Sequence, residues 1–279
     1  MISGRCGVHA GDGVHSPLPP RTRRAGWLLF AAFLLVGSGV APVAAQLAVN
    51  QAEVFLEPRT PGRGVISFDI SNAGDQVAEA TLYLSDWDRT ETGDHRFLPS
   101  GTLPRSCARY LRVFPLSLRL PARATQSVRV ALEGADSLAA TCWSIVFVES
   151  RIAPTGLGAQ VTYVTRLGVK VYGLPPGLTR EGEVVDLAAG RDSAGRHIEV
   201  GFANTGGQPL WVRGALEYRR LDNSLARRDT IPQFPVLPGA RRRVSSPLPV
   251  LPAGRYVVLA LLDYAGAEVA AGQLQLEVP

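Results

Sequence analysis

Short runs of alternating apolar and polar residues, separated by turn-forming residues, recur through most of this 279-residue chain. A period of two places the apolar side chains on one face of an extended strand. Between Leu47 and Leu174 no run has the 3.6-residue period of a helix, so the sequence predicts an all-β fold. Seven strands in about 125 residues are typical of an immunoglobulin-like sandwich. The predicted strands are 48–56, 64–71, 78–85, 110–114, 126–132, 142–149 and 161–172.

Pro175-Pro176-Gly177 interrupts this pattern and predicts a domain boundary, because proline cannot donate to a sheet and glycine frees the backbone. Beyond it, the segment from Val200 to Gly206 repeats the pattern of Phe68 to Gly74, an apolar strand that ends in an Asn-x-Gly turn. We therefore predict a domain over residues 46–174 and a smaller sandwich over residues 175–279. The strands expected in the second are 183–188, 196–203, 210–219, 241–245, 254–263 and 268–277.

Residues 1–45 are expected to form a signal peptide with a long n-region. Arg21, Arg23 and Arg24 precede an apolar run, and Val43-Ala44-Ala45 supplies the small residues that a signal peptidase reads. The apolar run is short for a membrane span, and no later stretch reaches about 18 apolar residues, so no permanent membrane anchor is expected. The sequence predicts an exported protein that is cleaved after Ala45.

Charge and cysteine content narrow the classes of partner. Four of the 29 basic and one of the 24 acidic residues lie in the leader, which leaves a net charge of +2 without a nucleic-acid-reading motif. Cys6 leaves with the leader, and Cys107 and Cys142 remain. A lone pair in an exported chain predicts a disulfide. A catalytic thiol or a metal pair is the alternative.

No known catalytic motif or metal-ligand spacing is present, so we expect neither an enzyme nor a cofactor. The densest polar cluster runs from Asp86 to His95. Its four acids and one histidine could hold a calcium or zinc ion, but a solvated hairpin loop is the competing interpretation. An enzyme built around His95 is the least favoured hypothesis. His197 is interpreted as a surface residue, and Trp87, Trp143 and Trp211 as residues that pack in or beside the cores.

The stretch from Gln160 to Gly173, QVTYVTRLGVKVYG, combines the alternation with Lys170, the only lysine of the chain. In a strand, its odd-numbered residues would form an apolar face, and the opposite face would carry Arg166, Lys170 and Tyr172. The other 28 basic residues are all arginines. A single lysine is therefore a candidate functional residue, with chance as the alternative.

Four segments, in order, resemble the N-terminal domain of the periplasmic pilus chaperone family, the PapD-like proteins. They are FDISNAG (68–74), RVFPLSLRLPARATQSVRV (112–130), CWSIVFVE (142–149) and LGVKVYGLPP (167–176). The last resembles the family's final strand and the linker between the two domains. The resemblance covers about 130 residues, and the second domain fits by size and position. It implies two immunoglobulin-like domains in tandem.

The resemblance also implies a function and site residues. Chaperones of this family donate a strand to an incomplete subunit, so we expect a periplasmic protein that binds an exported, β-rich, pilin-like subunit, with an outer-membrane usher as a further partner. Lys170 matches the family's cleft lysine, which anchors the subunit's terminal carboxylate. Val161, Tyr163 and Thr165 match positions that fill the subunit's groove. A two-domain structural or adhesive protein is the alternative function.

The sequence departs from the family at the second cation of the cleft. That cation is an arginine on the first strand, and its position matches the region of Glu53, where no arginine lies between Gln46 and Pro58. Arg59, Arg63 and Arg166 are therefore candidates to replace it. If none does, carboxylate anchoring is altered or lost.

Overall fold

The computed structural model describes residues 46–152 and 163–279, and this part of the chain consists of strands joined by turns and loops. No helix long and apolar enough to cross a membrane occurs among these residues. The first ten strands are β1 Leu47–Val49, β2 Glu53–Leu56, β3 Val65–Asn72, β4 Ala78–Arg89, β5 His95–Pro99, β6 Leu111–Phe114, β7 Ser117–Leu120, β8 Thr125–Leu132, β9 Cys142–Ile152 and β10 Tyr163–Gly173. The next seven are β11 Gly182–Asp192, β12 Gly195–Asn204, β13 Leu210–Arg220, β14 Leu225–Val236, β15 Arg241–Pro247, β16 Gly254–Asp263 and β17 Ala270–Val278.

Strands β1 to β10 form an immunoglobulin-like sandwich of two sheets, here called the N-terminal sandwich. One sheet has the order β1-β3-β8-β6, and the other has the order β2-β10-β9-β4-β5, with β7 also paired to β4. The inner faces bury alternate residues, as Phe68 and Ile70 do on β3 and Val128 and Val130 do on β8. The predicted all-β, sandwich architecture is confirmed.

The first predicted strand, 48–56, is wrong in one respect, because it divides between the two sheets. β1 pairs with β3 in one sheet, whereas β2 pairs in parallel with β10 in the other. The chain crosses over at residues 50–52, so that Leu47 enters the core from one side and Val54 and Leu56 enter it from the other. Burying apolar residues against both sheets is what divides the strand.

A disulfide joins Cys107 to Cys142 inside the N-terminal sandwich, as predicted. Both cysteines are buried in the core cluster. Gly173, at the end of β10, lies so close that a Cβ atom there would be 2.8 Å from the Cys142 sulfur. The cross-link therefore lies at the paired ends of β9 and β10, where Cys142 is opposite Gly173.

Strands β11 to β17 form a second immunoglobulin-like sandwich, here called the C-terminal sandwich. Its sheets have the orders β11-β12-β15 and β14-β13-β16-β17. The Asn-x-Gly repeat corresponds to a shared turn. Asn72 and Asn204 are both buried at the end of a strand, and each accepts a hydrogen bond from the glycine two residues later, at 2.9 and 3.0 Å.

Three strands have no counterpart in the sequence prediction: β5, β7 and β14. β5 and β7 have only five and four residues and include charged side chains. β14 contains Pro232 and Pro235, which argue against a central strand. It lies at the edge of its sheet, where a missing N–H group is tolerated.

Candidate functional site

One side of β10 has no neighbouring strand over most of its length. β10 pairs with β9 from Tyr163 to Gly173, whereas β2 pairs with it only from Lys170 to Gly173. Among the described residues, the stretch from Tyr163 to Val169 therefore has a partner on one side only. We call the other side the open edge of β10. Val161, predicted to belong to it, lies outside the described residues.

The backbone groups of the open edge follow from the pairing with β2. The Lys170 N–H donates to the Ala52 carbonyl at 2.9 Å, so Lys170 directs its backbone groups away from β9. Backbone groups alternate sides along a strand. Val164, Arg166 and Gly168 therefore present their N–H and C=O groups to the open edge, where another strand could bond to them.

The side chains of β10 alternate as predicted. Val169 and Val171 are buried in the core of the N-terminal sandwich, and Leu167 packs partly against it. Toward the start of the strand on the same face, Thr165 is half-buried and Tyr163 is 49% exposed. The apolar face of β10 thus emerges from the core toward the end where the edge is open.

On the outer face of β10, Arg166 is held by neighbours. Its guanidinium donates to the Glu149 carboxylate at 2.9 and 3.2 Å, and its Cζ lies 5.3 Å from the Phe147 ring centre. Hydrogen bonds from Arg166, then from Tyr83 and Arg151, hold the pKa of Glu149 below its ordinary value. Arg166 therefore has an acidic partner of its own.

Lys170 lies further along the same face and is more enclosed, with a side chain only 17% exposed. Its Nζ is 3.1 Å from Glu53 Oε1 and 5.0 Å from the centre of the Trp87 ring. The pairing of β2 with β10 places Glu53 and Lys170 side by side. The region to which the resemblance assigns the first-strand arginine thus holds the acidic partner of the lysine.

Trp87 is the centre of an aromatic cluster on this outer face. It is fully buried and donates from Nε1 to the Ser144 carbonyl at 3.3 Å. The ring of Tyr172 lies edge-on to it, with the centroids 6.0 Å apart. Burial strongly raises the pKa of Tyr172, and the neighbouring Glu53 carboxylate adds to this effect, so the phenol stays protonated.

Two residues that the sequence analysis did not assign to a cleft, Arg89 and His95, also contact Trp87. The Arg89 Cζ is 5.9 Å from a Trp87 ring centre, and the His95 ring centre is 5.6 Å away. Partial burial lowers the pKa of His95, and the charges of Arg89 and Lys170 lower it further. Trp87 and Arg89 are two residues apart on one strand, so their side chains lie on the same face. This spacing is the sequence feature from which their proximity could have been predicted.

Arg59 and Arg63, two of the predicted replacements for the missing arginine, have other partners. Arg59 donates to the carbonyls of Asp136 and Leu138, both at 3.0 Å. Arg63 forms an ion pair with Glu57 at 2.6 Å. Both guanidinium groups are therefore held by residues other than those around Trp87.

The outer face meets the C-terminal sandwich. Leu237 is buried in one cluster with Trp87, Trp143 and Tyr172, and Phe55 contacts Trp211 edge-on at 5.6 Å between centroids. The residues around Lys170 therefore lie near the junction of the two sandwiches, and we refer to this region as the cleft.

The acidic run from Asp86 to His95 is a hairpin between β4 and β5. Asp86 is completely buried and accepts hydrogen bonds from the Leu103 N–H at 2.8 Å and the Ser106 hydroxyl at 2.6 Å. In residues 46–152 and 163–279, no group of three or more His, Cys, Asp or Glu side chains is arranged to hold a metal ion. Asp86 stabilises the loop that leads to Cys107.

Comparison with known proteins gave matches among solved structures only. No family model and no curated protein matches the sequence. The class 5 fimbriae chaperone CfaA is 14% identical, with a TM-score of 0.45 over 84% of this chain and 99% of that one. The YadV chaperone is 14% identical, with a TM-score of 0.46 over 83% and 100%.

A chain of the CsuC–CsuE chaperone–tip adhesion subunit pre-assembly complex, from the archaic chaperone-usher Csu pili of Acinetobacter baumannii, is 11% identical. Its TM-score is 0.46, over 82% of this chain and 98% of that one. The solved structures that this chain resembles thus include fimbrial chaperones. The likeness extends over most of both chains.

Proposed function

We propose that this protein is a periplasmic assembly chaperone that binds an exported, β-rich, pilin-like subunit, its client, at the open edge of β10. The observation that supports this most directly is the absence of a second neighbour between Tyr163 and Val169 among the described residues. An unpaired edge is a template for a further strand. In most proteins such an edge is covered or kept short. An open edge that is seven residues long therefore needs a functional explanation.

The two faces of β10 fit this role. A client strand would bond to the backbone groups of Val164, Arg166 and Gly168. Tyr163 and Thr165, together with Val161 if the strand continues, would project into the client's apolar groove. The edge closes at Lys170, where β2 begins to pair. A client strand must therefore end near Lys170.

The charge at that end selects the direction of the client strand. A terminal carboxylate near the Lys170 ammonium is attractive, whereas a terminal amine would be repelled. The client strand would then run parallel to β10, as β2 does. Lys170 is thus the proposed anchor for the client's C-terminus, and an outer-membrane usher is the proposed recipient of the complex.

A structural or adhesive protein with two sandwiches is the alternative. Such a protein needs neither an open edge nor a lysine enclosed in a cleft, whereas a chaperone needs both. The position of Lys170, between Glu53 and the Trp87 ring, favours the chaperone. The proposal includes no catalytic residue and no cofactor.

Val164→Pro tests the edge directly. Proline at this position removes an N–H group that points to the open edge and leaves the hydrogen bonds of its neighbours to β9 in place. Val164→Thr is the matched control, because it keeps the N–H group and the branched side chain. Each variant is affinity-purified from the cell envelope of the native host, and the co-purifying proteins are identified by mass spectrometry.

We expect a β-rich exported protein to co-purify with the wild type and with Val164→Thr, and to be reduced at least about tenfold with Val164→Pro, since the loss of paired backbone bonds costs more than about 1.4 kcal/mol. Circular dichroism checks that the proline variant is folded. Undiminished recovery of the same protein with folded Val164→Pro would contradict strand pairing at this edge.

A further inference from the structure

Arg89 is an enclosed cation without an acidic partner among the described residues. It lies at the end of β4, and its Nη1 donates to the Gly93 carbonyl at 2.8 Å. Its Nε is buried and has no hydrogen-bond partner. The ion pairs of the described residues include Lys170 with Glu53 and Arg166 with Glu149, but none with Arg89.

The Trp87 ring lies near both cations, at 5.0 Å from the Lys170 Nζ and 5.9 Å from the Arg89 Cζ. An aromatic face stabilises a cation without neutralising its charge. Lys170 and Arg89 carry two positive charges against the single carboxylate of Glu53, and the neighbouring Arg242 and Asp94 carry one charge of each sign. The group therefore has one excess positive charge while His95 is neutral. The site thus complements one additional monoanion.

The partly buried surroundings of Arg89 make its positive charge energetically unfavourable when no counter-ion is present. Burial lowers the pKa of the Arg89 guanidinium, and Tyr172 and Glu53 only partly oppose this effect. A buried charge is stabilised when a hydrogen-bonded counter-ion is supplied. Arg242, across the turn at 90–94, does not supply one, because it is itself a cation and donates to the Glu91 carbonyl at 2.8 Å.

We propose that Arg89 and Lys170 together form a carboxylate receptor around Trp87, and that Glu53 competes with the ligand for Lys170. The inference rests on the proposed function, since the ligand would be the terminal carboxylate of the client strand that ends at Lys170. Arg89 on β4 then supplies the second cation, whereas β2 supplies Glu53, which competes with the ligand for Lys170. Planar guanidinium groups suit carboxylates, because they can donate two parallel hydrogen bonds.

The competitor gives the receptor a distinctive property. In the unbound protein, Glu53 stabilises Lys170 and keeps the cleft from carrying two uncompensated cations. An incoming carboxylate would share Lys170 with Glu53 and would pair with Arg89, which has no acidic partner of its own among the described residues. Removing the Glu53 charge should therefore strengthen carboxylate binding, whereas an ordinary structural ion pair predicts a weaker or unchanged site.

The test uses a designed nine-residue peptide of alternating valine and threonine, acetylated at its N-terminus, in two forms. One form ends in a free carboxylate and the other in an amide. Binding of each form to the purified protein is followed through the Trp87 indole N–H signal in NMR spectra. The variants are Arg89→Gln and Glu53→Gln, with Arg63→Gln as the control because Arg63 pairs with Glu57 on the surface.

We expect the wild type and Arg63→Gln to bind the carboxylate form about tenfold more tightly than the amide form, which corresponds to about 1.4 kcal/mol. Arg89→Gln should remove this preference and leave the binding of the amide form unchanged. Glu53→Gln should increase the preference several-fold. Arg89→Lys, which restores the charge, should recover part of it.

Each contrary result has its own meaning. If the wild type binds both forms equally, or Arg89→Gln keeps the preference, the receptor is overturned while edge pairing stands. If neither form binds, strand pairing fails and the receptor fails with it. If inorganic phosphate displaces the carboxylate peptide at concentrations where acetate does, the site is a general anion site and the assignment to a chain end is overturned.

Discussion

Two neighbours contact the enclosed ammonium group of Lys170 in different ways. Glu53 supplies an ion pair at 3.1 Å, and Trp87 supplies a cation–π contact at 5.0 Å. Both contacts attract the ammonium group electrostatically. The side chain is therefore fixed at the point where the open edge closes.

His95 provides a test of this electrostatic environment. Because Lys170 is one of the charges that lower the His95 pKa, Lys170→Met should raise that pKa toward the ordinary value for histidine. NMR titration of the imidazole measures it, and Arg63→Gln serves as the control. An unchanged His95 pKa in Lys170→Met would show that the lysine charge does not reach the ring.

The same shift has a defined effect on stability. The pKa of His95 is lower in the folded protein than in the unfolded chain, so the unfolded chain binds more protons. The contribution of His95 to the unfolding free energy is therefore fully present above the unfolded pKa of about 6.5, and it is lost as the pH falls from there through the folded value. In Lys170→Met this loss should be smaller.

The structural role of some single residues could be predicted from the sequence, whereas that of others could not. The Cys107–Cys142 disulfide and the alternation around Lys170 follow from composition and from the period of a strand. Arg89 could not be assigned to the cleft, because β9 separates β4 from β10 in the sheet order. The strand order that brings Arg89 to Trp87 and Lys170 is a tertiary property.

Among the strands, β10 is the element on which the proposed function depends, and Gly168 shows how tightly it is built. The outer face at this position is filled by Ile145 and Phe147, both buried on β9. A Cβ atom on Gly168 would lie 2.6 Å from Ile145 Cδ1 and 3.3 Å from Phe147 Cε1. Glycine is therefore required for close packing.

Gly168→Val should destabilise the protein by about 1 to 3 kcal/mol, the usual range for overpacking. Chemical denaturation monitored by circular dichroism measures the change in unfolding free energy. Val164→Ile is the matched control, since it adds bulk to an exposed position of the same strand and should change the unfolding free energy by less than about 0.5 kcal/mol. Equal stabilities for the two variants would show that Ile145 and Phe147 repack freely.

Element boundaries were predictable where one sheet face decides the residue pattern. β3, β8 and β16 match their predicted spans within one residue, because their alternate residues fill a core. β1 and β2 could not be separated in the sequence, since both consist of residues typical of strands. They differ only in the sheet to which each one pairs, which is a tertiary property. β14 was missed because an edge position tolerates prolines that a central strand does not.

At the scale of the whole molecule, the turn at 90–94 of the N-terminal sandwich is held by the C-terminal sandwich. The Arg243 N–H donates to the Glu91 carbonyl at 2.7 Å, and Arg242 donates to the same oxygen at 2.8 Å. Gly93 has a φ of 108°, and a Cβ atom there would collide with the Arg242 guanidinium. The positive φ favours glycine at this position, and a larger residue would displace the Arg242 guanidinium from the contact between the sandwiches.

Gly93→Ala should loosen this contact, and Gly101→Ala provides a matched control. Gly101 also has a positive φ, of 82°, but a Cβ atom there would meet no other atom within 4 Å. Both variants should lose about 1 to 3 kcal/mol through backbone strain. Only Gly93→Ala should speed hydrogen exchange at the Arg243 amide, measured by NMR. Equal exchange in the two variants would show that the Arg242 guanidinium moves aside for the added methyl group without loosening the contact.

The pairing of β2 with β10 also has a consequence for timing during synthesis. Glu53 and Lys170 are 117 residues apart in the chain, and the parallel pair that joins them can form only after the last strand of the N-terminal sandwich has been made. Pairings over such long separations are slow to form, because the chain must close a large loop first. The cleft is therefore among the last features to appear. Under the proposed function, a nascent or misfolded copy would therefore offer no complete site for a client strand, and only a copy whose N-terminal sandwich has finished folding would bind one.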